Sequence, residues 1–270
     1  MHVIRFLIRE NLRSEREEVE RQYFGRSNRS MDNLAKTLLK AFSVHGEEPD
    51  SDVMQKIQSR WGKNIQFLGA GAYRIVFSIG NDLVLKISLD GVGDEGLLHS
   101  GHQMNQDDFT LGTDQEINHV FPRAYIHGPQ FRWIVLERVK PLETESQFIP
   151  FFPSSLLPDP SSLDSAGKDA YAGLVGGALK FKSHYFEDDK RLGSFPGFRR
   201  EWGSGDKTLG ELRADLVDSS ETFAGLANAL NKYKIDPDEI RHDNLGIGDD
   251  GRLVLLDSSI FPEREFFNLF

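Results

Sequence analysis

Apolar residues in the first part of the chain recur every three or four positions, which is the period of an α-helix. The periodic residues share one helical face: Met31, Leu34, Ala35, Leu38, Leu39 and Phe42. Asp50 and its neighbours resemble a cap before a second short helix through Ile57. Residues 1–61 are therefore predicted to be a helical extension without chemistry of its own, packed on the main domain or on a partner.

From Ile65 the pattern changes to short β-rich runs that are separated by glycine-containing turns. Five strands are predicted: Ile65–Leu68, Arg74–Ile79, Leu83–Ser88, Arg123–Ile126 and Phe131–Val139. Residues 89–112 are polar and glycine-rich, which favours a loop, and residues 113–120 are predicted to form a short helix carrying Glu116. Residues 62–140 are thus expected to form a five-stranded antiparallel sheet with one short helix.

The remaining residues, 141–270, carry weaker signals. The early run PFFPSSLLPDPSS resists regular structure because of its prolines. A long helix is predicted from Leu212 to about Tyr233, followed by a polar loop over 236–244. Two strands are expected on either side of the turn Gly248–Gly251. This region is predicted to be mainly helical.

Composition narrows the range of functions. The net charge of −10 argues against a nucleic-acid partner, which normally requires a dense basic face. The absence of cysteine excludes disulfides, thiolate metal sites and cysteine nucleophiles. The apolar piece from Val3 to Ile8 is interrupted by Arg5 and is too short to span a membrane. We therefore expect a soluble cytoplasmic protein without a membrane partner.

Two features between residues 69 and 88 are candidates for phosphate binding. Gly69 and Gly71 lie in a turn between two predicted strands, where backbone N–H groups can approach phosphate oxygens. Lys86 interrupts an apolar strand, and a buried ammonium group requires a partner. The alternatives are an ordinary turn and a lysine on the exposed face of a half-buried strand.

A third feature is a carboxylate-rich loop near the C-terminal end. The loop from Asp238 to Asn244 precedes one predicted strand, and Asp257 ends the next. Oxygen ligands of this kind suit Mg²⁺, which takes one or two protein ligands together with phosphate oxygens and water. The alternatives are solvated loop charges and, for Asp257, a strand-ending cap.

The order of these features resembles the protein-kinase-like superfamily, from Phe67 to about Ser259 with an unmatched block near 141–210. Its pattern is a G-x-G-x-x-G-x-V loop, a strand lysine, a helix glutamate, H-R-D-x-x-x-x-N and D-F-G. The resemblance implies that this chain binds ATP and Mg²⁺. The residues that it assigns to the nucleotide are Gly69, Gly71, Val76, Lys86, Glu116 as the ion-pair partner of Lys86, Glu137 and Val139.

The same resemblance assigns the metal and catalytic residues. Asn244 and Asp257 correspond to the two metal-binding positions. Arg241 falls where many kinases have a lysine that neutralises the transferring phosphoryl group. The catalytic aspartate position holds Glu239, with Asp238 directly before it, so either carboxylate is a candidate to orient the acceptor hydroxyl.

The chain also departs from the family pattern. The third loop glycine is Arg74, and D-F-G is reduced to Asp257-Ser258-Ser259. The sequence runs only to Phe270 after Asp257, so no activation segment is expected. The resemblance is therefore to short, divergent members of the sort found in bacteria and bacteriophages.

The expected fold class is α+β: a bilobal protein-kinase-like fold with a five-stranded antiparallel N-lobe sheet at 62–140. A reduced, mainly helical C-lobe follows at 141–270, and the helical extension precedes both. The leading function is an ATP- and Mg²⁺-dependent phosphotransferase acting on a protein serine or threonine or on a small-molecule hydroxyl. The alternatives are a partner-binding pseudokinase and nucleotidyl transfer, for which Arg74 is the residue to test.

Overall fold

The computed structural model describes these residues of the chain: 29–45, 49–61, 64–71, 73–89, 101–144, 147, 150–151, 208–235 and 244–256. They divide into two compact units. The first contains the described residues up to Thr113 together with Arg123–Arg138. The second contains Asp114–Pro122 together with the described residues from Val139 onward. The predicted division at residues 61 and 140 stays a prediction.

Among the described residues of the first unit, five short strands form an antiparallel sheet, as predicted. They are β1 (Ile65–Ala70), β2 (Arg74–Ile79), β3 (Leu83–Ser88), β4 (Ala124–His127) and β5 (Trp133–Glu137). Their order across the sheet is β1-β2-β3-β5-β4. Gly80 has a φ of 66° in the turn between β2 and β3, a conformation that glycine adopts without steric cost.

The two faces of β2 and β3 differ in chemistry, because successive strand residues point to opposite sides. On one face, Phe77 is paired with Leu85 in the strand register, and both side chains are fully buried. On the other face, Arg74 lies opposite Ser88, and Val76 lies opposite Lys86. The sheet therefore places one face in the hydrophobic core and gathers polar side chains on the other.

Two helices share that core with the sheet. α1 spans Arg29–His45 and α2 spans Ser51–Trp61. The predicted apolar face of α1 is confirmed, since its residues are buried or packed against the core cluster. The predicted cap is confirmed as well, because Asp50 Oδ1 accepts the N–H of Asp52 at 2.7 Å. Trp133 Nε1 donates to Asp32 Oδ1 at 2.6 Å and joins α1 to β5.

A third helix, α3 (Gly101–Thr113), occupies a segment for which a loop was predicted. The loop prediction for 89–112 is therefore wrong from Gly101 onward. The short helix predicted over 113–120 is also wrong, since residues 115–117 form a turn and Asn118–Val120 a single turn of 3₁₀ helix. Tertiary burial stabilises α3 where its composition does not: Asn105 is fully buried, and its Nδ2 donates to Phe131 O at 2.8 Å.

The second unit contains a small sheet of its own. In the described residues, β6 (Lys140–Pro141), β7 (Leu245–Ile247) and β8 (Leu253–Leu255) pair in that order. The predicted turn between the last two strands is confirmed, with Gly251 at a φ of 80° and its N–H donating to Gly248 O at 2.8 Å.

Two helices of the second unit replace the predicted long one. α4 spans Leu209–Ser219 and α5 spans Glu221–Tyr233. The chain becomes extended at Ser220, where φ is −137° and ψ is 120°, so a single helix from Leu212 to Tyr233 is wrong. α4 begins with a reciprocal cap in which Thr208 N–H donates to Glu211 Oε2 and Glu211 N–H donates to Thr208 Oγ1.

In the described ranges, no helix combines the length and the apolar character that crossing a membrane requires.

The first helical residue of α3, Gly101, gives a test of this packing. A Cβ at this position would lie 2.3 Å from Tyr73 O and 2.5 Å from Ser88 Oγ. Alanine is favoured over glycine by about 1 kcal/mol in a free helix. Gly101→Ala is nevertheless expected to lower the free energy of unfolding by about 1–3 kcal/mol, because the helix must move off the strands.

Urea denaturation measures this effect, with Gly71→Ala as the control. No heavy atom lies within 4 Å of a Cβ added at Gly71, so that variant should unfold at the wild-type midpoint. A Gly101→Ala protein that is more stable than the wild type would show that α3 does not approach the strands as described.

Candidate functional site

A cluster of buried charges lies on the polar face of β2 and β3. Lys86 Nζ donates to Asp108 Oδ2 at 2.7 Å, and Arg74 Nη1 donates to the same oxygen at 2.7 Å. Lys86 comes from β3, Arg74 from β2 and Asp108 from α3. The three residues are 9%, 7% and 8% exposed. Because water is largely excluded, the carboxylate offsets part of the cost of burying each cation.

A second carboxylate lies beside this cluster. Asp107 precedes Asp108 in α3, is 5% exposed and accepts a hydrogen bond from Gln103 Nε2 at 2.8 Å. Among the described residues, the buried charges on β2, β3 and α3 are two cations, Arg74 and Lys86, and two carboxylates, Asp107 and Asp108. That balance allows a lysine and an arginine to lie on the same face of a sheet without an excess of buried charge.

The predicted partner of Lys86 is corrected by this geometry. Glu116 is in the second unit, its side chain is 71% exposed, and its Oε2 accepts from Lys232 Nζ at 2.9 Å. The carboxylate that binds Lys86 is Asp108, because the helix after β3 lies at 101–113 and not at 113–120.

Sequence reasoning missed Asp108 because the buried positions of α3 are not typical of a core. They follow helical spacing but are mostly small or polar: Gly101, Asn105, Asp107, Asp108, Leu111 and Gly112. A search for apolar periodicity cannot detect such a face. The available signal was the spacing of small and polar residues between two strands.

The glycine turn, residues 69–71, begins within β1: Gly69 is paired with Val76 of β2, and Gly71 follows the strand. Neither Gly69 nor Gly71 has a heavy atom within 4 Å of an added Cβ, and neither has a positive φ. The Gly71 N–H donates to Arg74 O at 2.8 Å and closes the turn. Within the described residues, neither packing nor backbone geometry requires glycine at 69 or 71.

The other predicted nucleotide contacts lie on β2 and around the end of β5. Val76 is half-buried, opposite Lys86 in the register. Glu137 is buried, and its Oε2 accepts the N–H of Arg123 at 3.1 Å, so its carboxylate has a structural partner. Val139 is also buried, in the second unit, beside Gly246 of β7.

Besides Lys86, which is also a predicted catalytic residue, the structure describes one of the predicted metal and catalytic residues, Asn244. It is 9% exposed directly before β7, and its carbonyl accepts the N–H of Leu256 at 2.7 Å. Asp238, Glu239, Arg241 and Asp257 lie outside the described residues. In the described part of the chain, no group of three or more His, Asp or Glu side chains is arranged to hold a metal ion.

A second charged cluster, in the second unit, was not predicted. Lys232 Nζ donates to Asp114 Oδ2 at 2.7 Å, and the Tyr233 hydroxyl donates to the same carboxylate oxygen. Burial acts to raise the pKa of Asp114, but the hydrogen bonds from Lys232, Tyr233 and the Glu116 backbone outweigh it and lower that pKa. Burial and the bond to Asp114 raise the pKa of Tyr233 to about 12.

The comparison with solved structures gives a distant likeness, whereas the two sequence comparisons give none. No protein-family model and no curated protein sequence matches the chain. Among solved structures, choline kinase LicA from Streptococcus pneumoniae aligns with 81% of this chain and 77% of its own, at 14% identity and a TM-score of 0.30.

The corrected ion pair predicts unequal effects of two similar substitutions. Asp108→Asn should lower the free energy of unfolding by about 3 kcal/mol, because it removes a buried charge that binds two cations. Glu116→Gln should lower it by at most about 1 kcal/mol, because that carboxylate is mostly exposed. Urea denaturation of both variants compares them directly, and equal losses would restore Glu116 as a candidate partner.

The Asp114 cluster predicts an unusual tyrosine titration. The raised pKa means that the fold favours neutral Tyr233, so its contribution to stability is complete below about pH 10 and is lost as the pH rises through about 12. For Asp114 the direction is opposite: its lowered pKa gives a contribution that is present above the usual aspartate value and is lost in acid.

The titration is measured as phenolate absorbance in the difference between wild type and Tyr233→Phe. At about pH 11, one unit above the usual tyrosine pKa, the wild type should show little phenolate from Tyr233. Asp114→Asn should return the pKa of Tyr233 toward 10. A wild-type Tyr233 that ionises near pH 10 would contradict the predicted effect of the cluster.

Proposed function

We propose that the protein is an ATP- and Mg²⁺-dependent phosphotransferase with a bilobal, protein-kinase-like fold. The observation that carries the proposal is the buried pair between Lys86 of β3 and Asp108 of the helix that follows β3. Kinases place the phosphate-binding lysine on the third strand and hold it with a carboxylate from the next helix. In this chain an aspartate takes the role of the usual glutamate.

The glycine turn gives the proposal independent support. A Cβ added at Gly69 or Gly71 would meet no atom of the described residues, so a phosphate group has room to approach the backbone there. In the proposed complex, Gly69 and Gly71 cover the phosphates and Lys86 binds the α- and β-phosphate oxygens. Val76 covers the adenine, which meets the backbone at Glu137 and Val139.

The metal is assigned to Asn244 and Asp257. An amide oxygen and a carboxylate are donors that Mg²⁺ accepts, with phosphate oxygens and water completing its coordination. Asn244 is bonded through its carbonyl to Leu256, the residue directly before Asp257 in the chain. When bound, Mg²⁺ would neutralise part of the phosphate charge.

The transfer step uses residues of the polar loop. Asp238 or Glu239 orients the acceptor hydroxyl and receives its proton while the oxygen forms a bond to the γ-phosphorus. The bond from that phosphorus to the bridging oxygen of ADP breaks, and Arg241 stabilises the charge on the transferring group. The acceptor is a protein serine or threonine, or a small-molecule hydroxyl.

One observation favours a second candidate, a partner-binding pseudokinase. Arg74 stands where the family has its third loop glycine, and its guanidinium binds the carboxylate that holds Lys86. A carboxylate that is already bound by Arg74 and a glycine loop that lacks its third glycine are compatible with a protein that has lost transfer activity. Nucleotide binding distinguishes a phosphotransferase from a pseudokinase that binds no nucleotide.

The proposed function predicts a Mg²⁺-dependent thermal stabilisation by ATP. A ligand at a hundred times its dissociation constant adds about 2.7 kcal/mol to the stability of the folded protein. Asp257→Ala should lose the Mg²⁺-dependent part of the shift, because it lacks a metal ligand. The Gly69→Ala, Gly71→Ala double variant should melt at the wild-type temperature without nucleotide but show a smaller shift with it.

Transfer of radiolabelled γ-phosphate to water, protein or small hydroxyl acceptors then tests activity. A wild type that shows no shift with ATP, with or without Mg²⁺, would sink the phosphotransferase proposal and leave the pseudokinase. A shift without phosphate transfer would indicate a nucleotide-binding pseudokinase.

A further inference from the structure

Arg74 connects the glycine turn to the Lys86–Asp108 pair through two different groups. Its carbonyl accepts the N–H of Gly71 at 2.8 Å, which closes the turn. Its guanidinium donates to Asp108 Oδ2 at 2.7 Å and is 7% exposed. One residue thus contacts both parts of the proposed phosphate site.

We propose that Arg74 is a positioning residue, which fixes Asp108 and thereby the place at which Lys86 presents its ammonium group. This inference rests on the proposed nucleotide site, but it concerns a residue that departs from the family pattern. Arg74 itself does not touch the nucleotide in this proposal. It acts on binding through Asp108.

The geometry explains why a second cation improves the position of the first. Asp108 belongs to α3, and a carboxylate that is held by one donor keeps more side-chain freedom than a carboxylate held by two donors. Two donors from neighbouring strands, both at 2.7 Å from one oxygen, restrict the carboxylate from two directions. A guanidinium suits this role because its planar group is always charged and has a fixed donor geometry.

The chain directly before β2 approaches α3 at a second point, near the first residue of the helix. Tyr73 O accepts the N–H of Leu89 at 2.8 Å and lies where a Cβ at Gly101 would clash. Asp108 lies two helical turns further on, about 10 Å along the helix axis. Arg74 therefore holds the far part of α3, while the close approach at Gly101 holds its beginning.

Because Arg74 and Lys86 bind the same oxygen of Asp108, Arg74 also affects how strongly Lys86 attracts a phosphate. A carboxylate that binds one cation neutralises it, whereas a carboxylate bound to two cations neutralises each of them less. Lys86 thereby keeps more attraction for a phosphate than it would in an exclusive pair with Asp108. Both effects predict tighter nucleotide binding when Arg74 is present.

The test compares Arg74→Met, Arg74→Lys, Asp108→Asn and the Arg74→Met, Asp108→Asn double variant. Titration calorimetry measures the dissociation constant of ATP with Mg²⁺, below the melting temperature of every variant. Arg74→Met should weaken binding about tenfold, the effect of losing one charge-assisted hydrogen bond. Arg74→Lys should recover most of that loss, because it retains a cationic donor.

The double variant separates positioning from direct contact. In the Asp108→Asn background, Arg74→Met should change the dissociation constant less than about twofold, since its target carboxylate is gone. An equal tenfold loss in both backgrounds would overturn the inference, because Arg74 would then act on the nucleotide directly. A dissociation constant that is unchanged by Arg74→Met would also overturn it and leave a purely structural role.

A readout without nucleotide keeps this test independent of the proposed function. Amide hydrogen exchange in the second half of α3 should be faster in Arg74→Met than in wild type, and near wild type in Arg74→Lys. If the wild type binds no ATP, the proposed function fails, and the exchange rates alone decide whether Arg74 positions Asp108. Exchange unchanged by Arg74→Met would overturn the positioning role.

Discussion

The first unit depends on a carboxylate, that of Asp108, which lies between two cations in a region nearly closed to water. Removing charges from water is costly, and an ion pair offsets that cost only with good geometry. Asp108 Oδ2 meets both Arg74 and Lys86 at 2.7 Å, so three elements of the unit converge on one atom. Replacing a buried ion pair by well-packed apolar side chains is often neutral or stabilising. In the proposed function, these charges serve nucleotide binding as well as the stability of the fold.

The two faces of the sheet separate the hydrophobic core from the proposed nucleotide site. Its apolar face, with Phe77 and Leu85, packs with α1 and α2 in a single cluster. The described helices of the predicted extension, α1 and α2, thus share the core of the first unit. Because the core is complete on that face, the other face can carry Lys86 and an open glycine turn without a large loss of stability. The net charge of −10 does not oppose phosphate binding there, since exposed charges are screened over about 10 Å.

Much of this architecture was predictable from local sequence signals. The strands follow from β-rich runs between turns at Gly71 and Gly80, and α1 follows from its apolar period, because both signals depend only on neighbouring residues. The partner of Lys86 was not predictable in the same way. α3 buries Asn105 and Asp108 instead of leucines, so its helical face exists only in contact with the sheet. The prediction of a single helix from Leu212 to Tyr233 was wrong for a similar reason, since nothing in the apolar pattern marks Ser220 as an extended residue.

The helix after β3 was predicted at the wrong place in the chain, and for that reason the predicted partner of Lys86 was wrong as well. Glu116 was chosen as a carboxylate on the element expected after β3, and the choice of element was correct in principle. The helix begins at Gly101 and not at residue 113, about three helical turns earlier in the chain, because the polar residues in 101–112 favour a loop only when tertiary burial is ignored. The helix between β3 and β4 contains two carboxylates, Asp107 and Asp108, and both are buried. The topology of the sheet, more than the residue type, identifies the group that holds Lys86.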